Sequence, residues 1–170
     1  GLDWLVRQRA NRLIGITNGV DYDVWNPQTD AELTHHFNIG DIEGKRECKR
    51  SLLDEFSLPI RLDRPIFANI TRLTPQKGID LMMQVAGDIL ATGSYIISLG
   101  SGEKRYEDFW QSLRDYAPEQ VGIYRGYNER LAHRIEAGAD MFLMPSKFEP
   151  CGLNQMYSLR YGTVPIVRAV

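Results

Sequence analysis

The chain has 170 residues, 43% of them apolar and 25% charged, with a formal net charge of -2. Such a composition belongs to a folded domain with its own core rather than to a disordered segment. The 20 Lys and Arg against 22 Asp and Glu leave no basic excess to neutralise a nucleic-acid backbone.

No apolar run approaches the ~18 residues of a membrane span, so neither a membrane span nor a signal peptide is expected. Cys48 and Cys151 are too few and too far apart for a disulfide framework or a metal cluster, which favours a reducing, cytosol-like compartment. His35, His36 and His133 have no partners at zinc-ligand spacing, so no metal site is expected. The chain begins on Gly1 and stops at Val170 directly after an apolar run. We therefore expect a piece of a longer polypeptide.

Residues 2–13 place Leu2, Leu5, Val6, Arg9 and Leu13 at spacings of three and four, which predicts one amphipathic helix. Leu13 to Thr17 reads as a short strand, and Asn18-Gly19 breaks it. Residues 28–44 are polar and aperiodic, as a surface connection would be. Lys45 to Leu58 reads as a helix, with Lys45, Arg46, Lys49 and Arg50 on a solvated face.

From Pro65 the pattern is regular. Strands are predicted at 66–70, 95–99, 121–124, 141–144 and 164–167. Helices are predicted at 79–90, 106–116, 129–137 and 153–161. Strands alternating with helices specify an α/β domain with a doubly wound, Rossmann-like parallel sheet. The strands are continuous apolar runs, as burial on both faces requires. Ligands of such sheets sit at the carboxyl ends of the strands, so the loops at 71–78, 100–103, 125–128 and 145–152 are the places to look for chemistry.

In the first loop Arg72 and Lys77 flank a turn that opens a helix. A guanidinium fork, a compact ammonium and a helix N-terminus together suit a diphosphate. On spacing alone, a surface loop with two unrelated cations is the simpler reading. Gly100-Ser101-Gly102 resembles a dinucleotide fingerprint, but Arg105 stands where its third glycine belongs, and a tight turn is the simpler reading. Tyr127 could stack on a base or be a half-buried ring without a ligand.

The fourth loop holds Glu149-Pro150-Cys151-Gly152-Leu153. Glu149 could bond sugar hydroxyls or steady positive charge at a sugar carbon, or it could only cap the following helix. Backbone N–H groups at Gly152 and Leu153 could hold a phosphate oxygen. Cys151 reads as a small packed thiol and His133 as a structural residue.

Four runs taken in order carry a family resemblance. They are Asn18-Gly19-Val20-Asp21 with Trp25-Asn26-Pro27, Arg72 to Gly78, Phe148 to Leu153, and Tyr161 to Arg168. Together they resemble bacterial glycogen synthases and plant starch synthases, over essentially the whole chain. The resemblance implies a GT-B retaining glucosyltransferase with ADP-glucose as donor and an α-1,4-glucan as acceptor. It requires neither a metal nor a cofactor, and it implies a cytoplasmic location, or a plastid one in a plant. Residues 1–27 would be the hinge and the end of an N-terminal domain. Residues 28–170 would be most of the C-terminal nucleotide-sugar-binding domain.

By this resemblance Arg72 and Lys77 hold the donor diphosphate and Tyr127 stacks on adenine. Glu149 is the acidic catalytic residue at the donor glucose, and the backbone at Cys151, Gly152 and Leu153 cradles phosphate. Many other retaining GT-B enzymes place a second glutamate eight positions after the first. Here that position is Tyr157, as in glycogen and starch synthases, which also lack that acid. The family's N-terminal Lys-Thr-Gly-Gly loop is absent, and Ala169-Val170 stand where a Gly-Gly run is expected. The alternatives are an isolated ADP-binding module without activity and another GT-B retaining hexosyltransferase.

Overall fold

The computed structural model describes residues 1–169. The elements run α1 (Asp3–Gln8), α2 (Glu43–Glu55), β1 (Ile66–Ile70), α3 (Ile79–Ala91), β2 (Tyr95–Gly100) and α4 (Lys104–Tyr116). They continue with β3 (Val121–Arg125), α5 (Glu129–Gly138), β4 (Met141–Met144), α6 (Leu153–Arg160) and β5 (Val164–Val167). All strand pairs are parallel, and the sheet order is β3-β2-β1-β4-β5. The alternation of apolar strands with amphipathic helices thus yields the doubly wound sheet that the sequence predicts.

Period-two geometry splits each strand between two cores. Ile66, Ala68, Tyr95, Ile97 and Leu99 face one side with Leu52 and Leu53 of α2 and Leu131 and Ile135 of α5. Ile96 and Val121 face the other with Ile79, Met82 and Ala86 of α3 and Tyr106 and Trp110 of α4. The expectation of burial on both faces fails at β5. Val164, Ile166 and Val167 are exposed, because among the described strands β5 is the edge beyond β4.

Three further expectations are corrected. The helix over residues 2–13 is only α1 followed by a short 3-10 turn at Ala10–Arg12, and neither buries a residue. No strand forms at 13–17. Ile14 and Ile16 are 89% and 90% exposed, so among the described residues the apolar run neither packs on a surface nor pairs with a strand.

The cationic face of α2 is not simply solvated. Lys49 is buried, with its amine 2.8 Å from Asp140 and 3.1 Å from the Leu62 carbonyl. The Lys45 amine donates to the Ala137 carbonyl and the Thr163 hydroxyl, both at 2.9 Å. Long aliphatic stems let both lysines cover apolar surface while their heads reach distant acceptors.

The connection predicted at 28–44 ends at residue 42, just before α2; it has no helix or strand of the sheet but is anchored. Phe37 packs with Cys48, Ala137 and Tyr161, and Asp30 is buried. Among the described residues, no helix is long and apolar enough to cross a membrane.

Candidate active site at the strand-order reversal

The strand order reverses between β1 and β4, and open parallel sheets bind ligands at the carboxyl ends of the strands beside such a reversal. Two loops meet there. The loop after β1 ends in a 3-10 turn, Pro75–Lys77, and in Gly78, which has φ +71°. A Cβ at Gly78 would lie 2.1 Å from the Pro145 carbonyl oxygen of the loop after β4. Only glycine permits both that conformation and that approach. The Lys147 N–H donates to the Gln76 carbonyl at 2.8 Å, and the Gln76 side chain donates to the Phe148 carbonyl at 3.2 Å.

This docking brings Lys77 and Glu149 together across 72 positions of sequence, with Nζ 2.5 Å from Oε1 and both side chains 18% exposed. Burial alone would raise the Glu149 pKa. The Lys77 hydrogen bond and the charges of Lys77 and Arg72 outweigh it and hold the carboxyl below its ordinary value. Glu149 is therefore an ion-pair partner and not a helix cap. Gly152, at φ +78°, is the N-cap of α6, and no side chain caps that helix.

The cleft beside the pair has a volume of about 230 Å³. Lys77, Glu149, Cys151, Gly152 and Leu153 all line it. The first N–H groups of a helix have no partners within the helix, so the start of α6 at Leu153 offers donors and a partial positive charge beside Lys77.

Arg72 and Tyr127 are not in this lining. Arg72 is exposed at the rim, close enough for its charge to act on Glu149. Tyr127 follows β3, two strands from β1, and is 78% exposed rather than half-buried. The ring carries no packing duty in the core. Cys151 is half-buried, its thiol 3.9 Å from the Asn18 carbonyl.

Gly100 and Gly102 serve backbone contact. A Cβ at Gly102 would lie 2.3 Å from the Leu73 carbonyl, and Leu73 exchanges hydrogen bonds with Ser101 and Glu103. These glycines lock the loops after β1 and β2 together and do not form a dinucleotide fingerprint.

Sequence reasoning gave no role to several further residues of the cleft. Asn18, Ser146 and Asn154 line it, and the Asn154 amide donates to the Ile70 carbonyl at the end of β1, at 2.9 Å. Asn154 follows Leu153 directly, so its position was the available signal. The contribution of Asn18 depends on a long-range contact that no local pattern encodes.

A second constellation fixes the segment before residue 30. Trp25 lies between the rings of His133 and Tyr157, with centroid distances of 3.7 and 4.0 Å and interplanar angles of 11° and 4°. The His133 Nδ1 is 2.7 Å from Asp30, which also accepts from the Tyr161 hydroxyl. Burial works against the Asp30 charge, but the bonds from His133 and Tyr161 prevail and lower its pKa. His133 is thus structural in geometry, and Tyr157 fills its position with a stacked ring.

A larger cavity of about 1070 Å³ is bordered by Tyr22, Ile42, Lys45, Gly138, Asp140 and Arg160. Gly138 and Asp140 place it at the amino end of β4, away from the ligand-binding edge of a parallel sheet.

Comparisons with known proteins agree with this architecture. The chain is 52% identical to glycogen synthase 1 of Geobacter sulfurreducens over 169 residues, which is 99% of this chain and 34% of that protein. It is 53% identical to a glycogen synthase of Anaeromyxobacter dehalogenans over 170 residues, covering 35% of that protein. The chain thus spans about a third of the length of these relatives. Among solved structures, the catalytic domain of starch synthase IV from Arabidopsis thaliana, bound to ADP and acarbose, superposes with a TM-score of 0.91 at 37% identity. That match covers 98% of this chain and 34% of that one. The family model for glycosyl transferases group 1 matches residues 52–170, the span that holds every strand, the Lys77–Glu149 pair and the start of α6. The chain belongs to the group 1 glycosyl transferases.

Proposed function

We propose that this chain is the donor-binding part of a glycogen or starch synthase, which transfers glucose from ADP-glucose to an α-1,4-glucan with retention. One observation carries the reading. A lysine–glutamate pair and the start of a helix share one small cleft at the strand-order reversal. A diphosphate needs the cation and the helix end, and a sugar carbon that gains positive charge needs the carboxylate.

In the transfer, the bond from the sugar carbon to the diphosphate breaks and a bond to a glucan hydroxyl forms. Lys77, Arg72 and the α6 N-terminus take up the charge that collects on the departing diphosphate, so no metal is invoked for that task. Glu149 faces the sugar, Tyr127 stacks on the base, and the backbone at Cys151, Gly152 and Leu153 holds phosphate. The ADP and acarbose in the starch synthase IV structure support a nucleoside diphosphate and a glucan-like ligand. Residues 1–27 then act as the hinge toward an N-terminal domain, and 28–170 as the nucleotide-sugar domain. Among the described residues, the cleft is lined by the ends of β1 and β4, the loops that follow them, the start of α6 and Asn18, with no wall from a second domain. By itself the chain is therefore expected to bind nucleotide without turnover.

Calorimetry of ADP, UDP, GDP and pyrophosphate against the chain tests this reading. ADP is expected to bind best, and pyrophosphate measurably. Equal, negligible heats for all four ligands would refute it. A glucose-incorporation assay on a longer protein that contains this chain tests the reaction.

A further inference from the structure

We propose that Glu136 is a positioning residue for the phosphate-binding end of α6, acting through Ser158 and Asn154. The inference rests on the function proposed above for that helix end. Glu136 lies on α5, outside the cleft lining, and is buried. Its Oε2 is 2.8 Å from the Ser158 hydroxyl on α6. That hydroxyl donates to the Asn154 carbonyl at 2.7 Å. The Asn154 side chain donates in turn to the Ile70 carbonyl at the end of β1, at 2.9 Å. The relay therefore ties the first turn of α6 to α5 and to the edge of the cleft.

A single hydroxyl has one proton. If Ser158 gives it to Asn154, the bond to Glu136 is complete only when the carboxyl carries a proton and donates to Ser158. Burial pushes the Glu136 carboxyl up to about 8, against the pull of Ser158 and of Lys45, so the acid is neutral near pH 7. The groups around it are Lys45 on α2 with Cys48 and Lys49 behind it, Asp140 before β4, Tyr157 on α6 and Tyr161 at the C-cap of α6. The Lys45 amine is itself held down to about 8 by burial, and it is already bonded to Ala137 and Thr163. An ionised Glu136 would leave two acceptors facing each other, the carboxylate and the Ser158 oxygen, unless the hydroxyl turned away from Asn154. Either outcome loosens the start of α6.

ADP binding to the chain at pH 7.5 and pH 9.5 tests the relay, because the second phosphate ionisation, near pH ~6, is complete over that range. Wild type is expected to weaken by about 5-fold or more over that interval. Glu136→Gln keeps a donor at every pH and should stay within about 2-fold of its own value. Ser158→Ala should be weaker than wild type by roughly 3- to 10-fold at pH 7.5, the loss of one hydrogen bond, and close to wild type at pH 9.5, where the relay is already broken. Parallel weakening of wild type and Glu136→Gln, or wild-type affinity in Ser158→Ala at pH 7.5, would overturn the proposal.

Amide NMR of α6 supplies the arm that is independent of ligand. The Leu153 to Gln155 amides of wild type should titrate together with the Glu136 carboxyl carbon. They should be flat over that range in Glu136→Gln. If the wild-type amides do not follow that carbon, the relay is wrong even where ADP binds. If ADP fails to bind while they do follow it, the functional reading falls and the positioning role stands.

Discussion

Replacing Lys77 by Met removes the cation but keeps most of the stem, and leaves Glu149 in a mostly buried site. Both partners are 18% exposed, between the limits where an ion pair contributes about 0–1 kcal/mol and where breaking one costs about 3–5 kcal/mol. We expect a loss of about 1–3 kcal/mol at pH 7. For a chain of this size about 2 kcal/mol corresponds to roughly 4–8 °C in Tm.

The sign with pH follows from the Glu149 carboxyl. Its pKa in the folded protein lies below the ordinary 4.5, so its stabilising contribution is present above 4.5 and is lost as pH falls through the lower, folded value. Without Lys77, burial opposes the charge with less compensation, and the carboxyl takes up its proton at higher pH. The cost of Lys77→Met should therefore shrink as pH drops from 7 toward 4. Urea titrations of wild type, Lys77→Met, Glu149→Gln and the double variant, each at pH 7 and 4, measure this. Calorimetry at pH 7 should show ADP weakened by roughly 10- to 150-fold in Lys77→Met, the loss of a bond to a charged group. Strictly additive single variants, with a cost independent of pH, would refute the coupling, and unchanged ADP affinity in folded Lys77→Met would remove it from the diphosphate.

Tyr127→Ala should weaken ADP by about 1–3 kcal/mol and leave pyrophosphate unchanged. Its ring is largely solvent-exposed, so the melting temperature should hold, and equal losses for both ligands would exclude stacking. Glu149→Gln, placed in a longer active protein, should lower kcat by ~10²-fold or more while ADP affinity holds or rises, since a carboxylate next to a diphosphate disfavours nucleotide binding. Near-normal turnover would withdraw the catalytic role. Gly78→Ala should cost at least ~2 kcal/mol by urea titration, because it adds left-handed strain to a backbone clash with Pro145.

The sheet was legible because each of its elements is defined by local periodicity, and the boundaries predicted for β1, β4 and β5 coincide with those of the structure. The loops at the carboxyl ends of β1 and β4 followed from topology. Their contact did not, because it depends on Gly78 meeting Pro145 across 67 positions of sequence, and no local pattern records that. Periodicity also misled. It reports what could be buried, and among the described residues Ile14 and Ile16 are left exposed. The opposite error occurred at Lys45 and Lys49, where a cationic run suggests solvent and the acceptors lie at Ala137, Thr163 and Asp140. Tyr127 was legible as a strand-end aromatic, but its exposure was not.

The stack around Trp25 separates two kinds of failure. Residues 14–37 contain no helix and no strand of the sheet, so their order is maintained by side-chain contacts: Trp25 stacked between α5 and α6, Asp30 bonded to His133 and Tyr161, Asn26 bonded to Arg160, and Phe37 packed on Cys48 and Tyr161. The sheet is different, since each strand is supported by neighbours on several sides. The segment is thus a unit that can open on its own, with a free energy set by a few side-chain contacts and well below that of the whole domain. Asn18, which borders the cleft from this segment, inherits that lower protection. One wall of the cleft is therefore latched, while the β1 and β4 walls are built into the core.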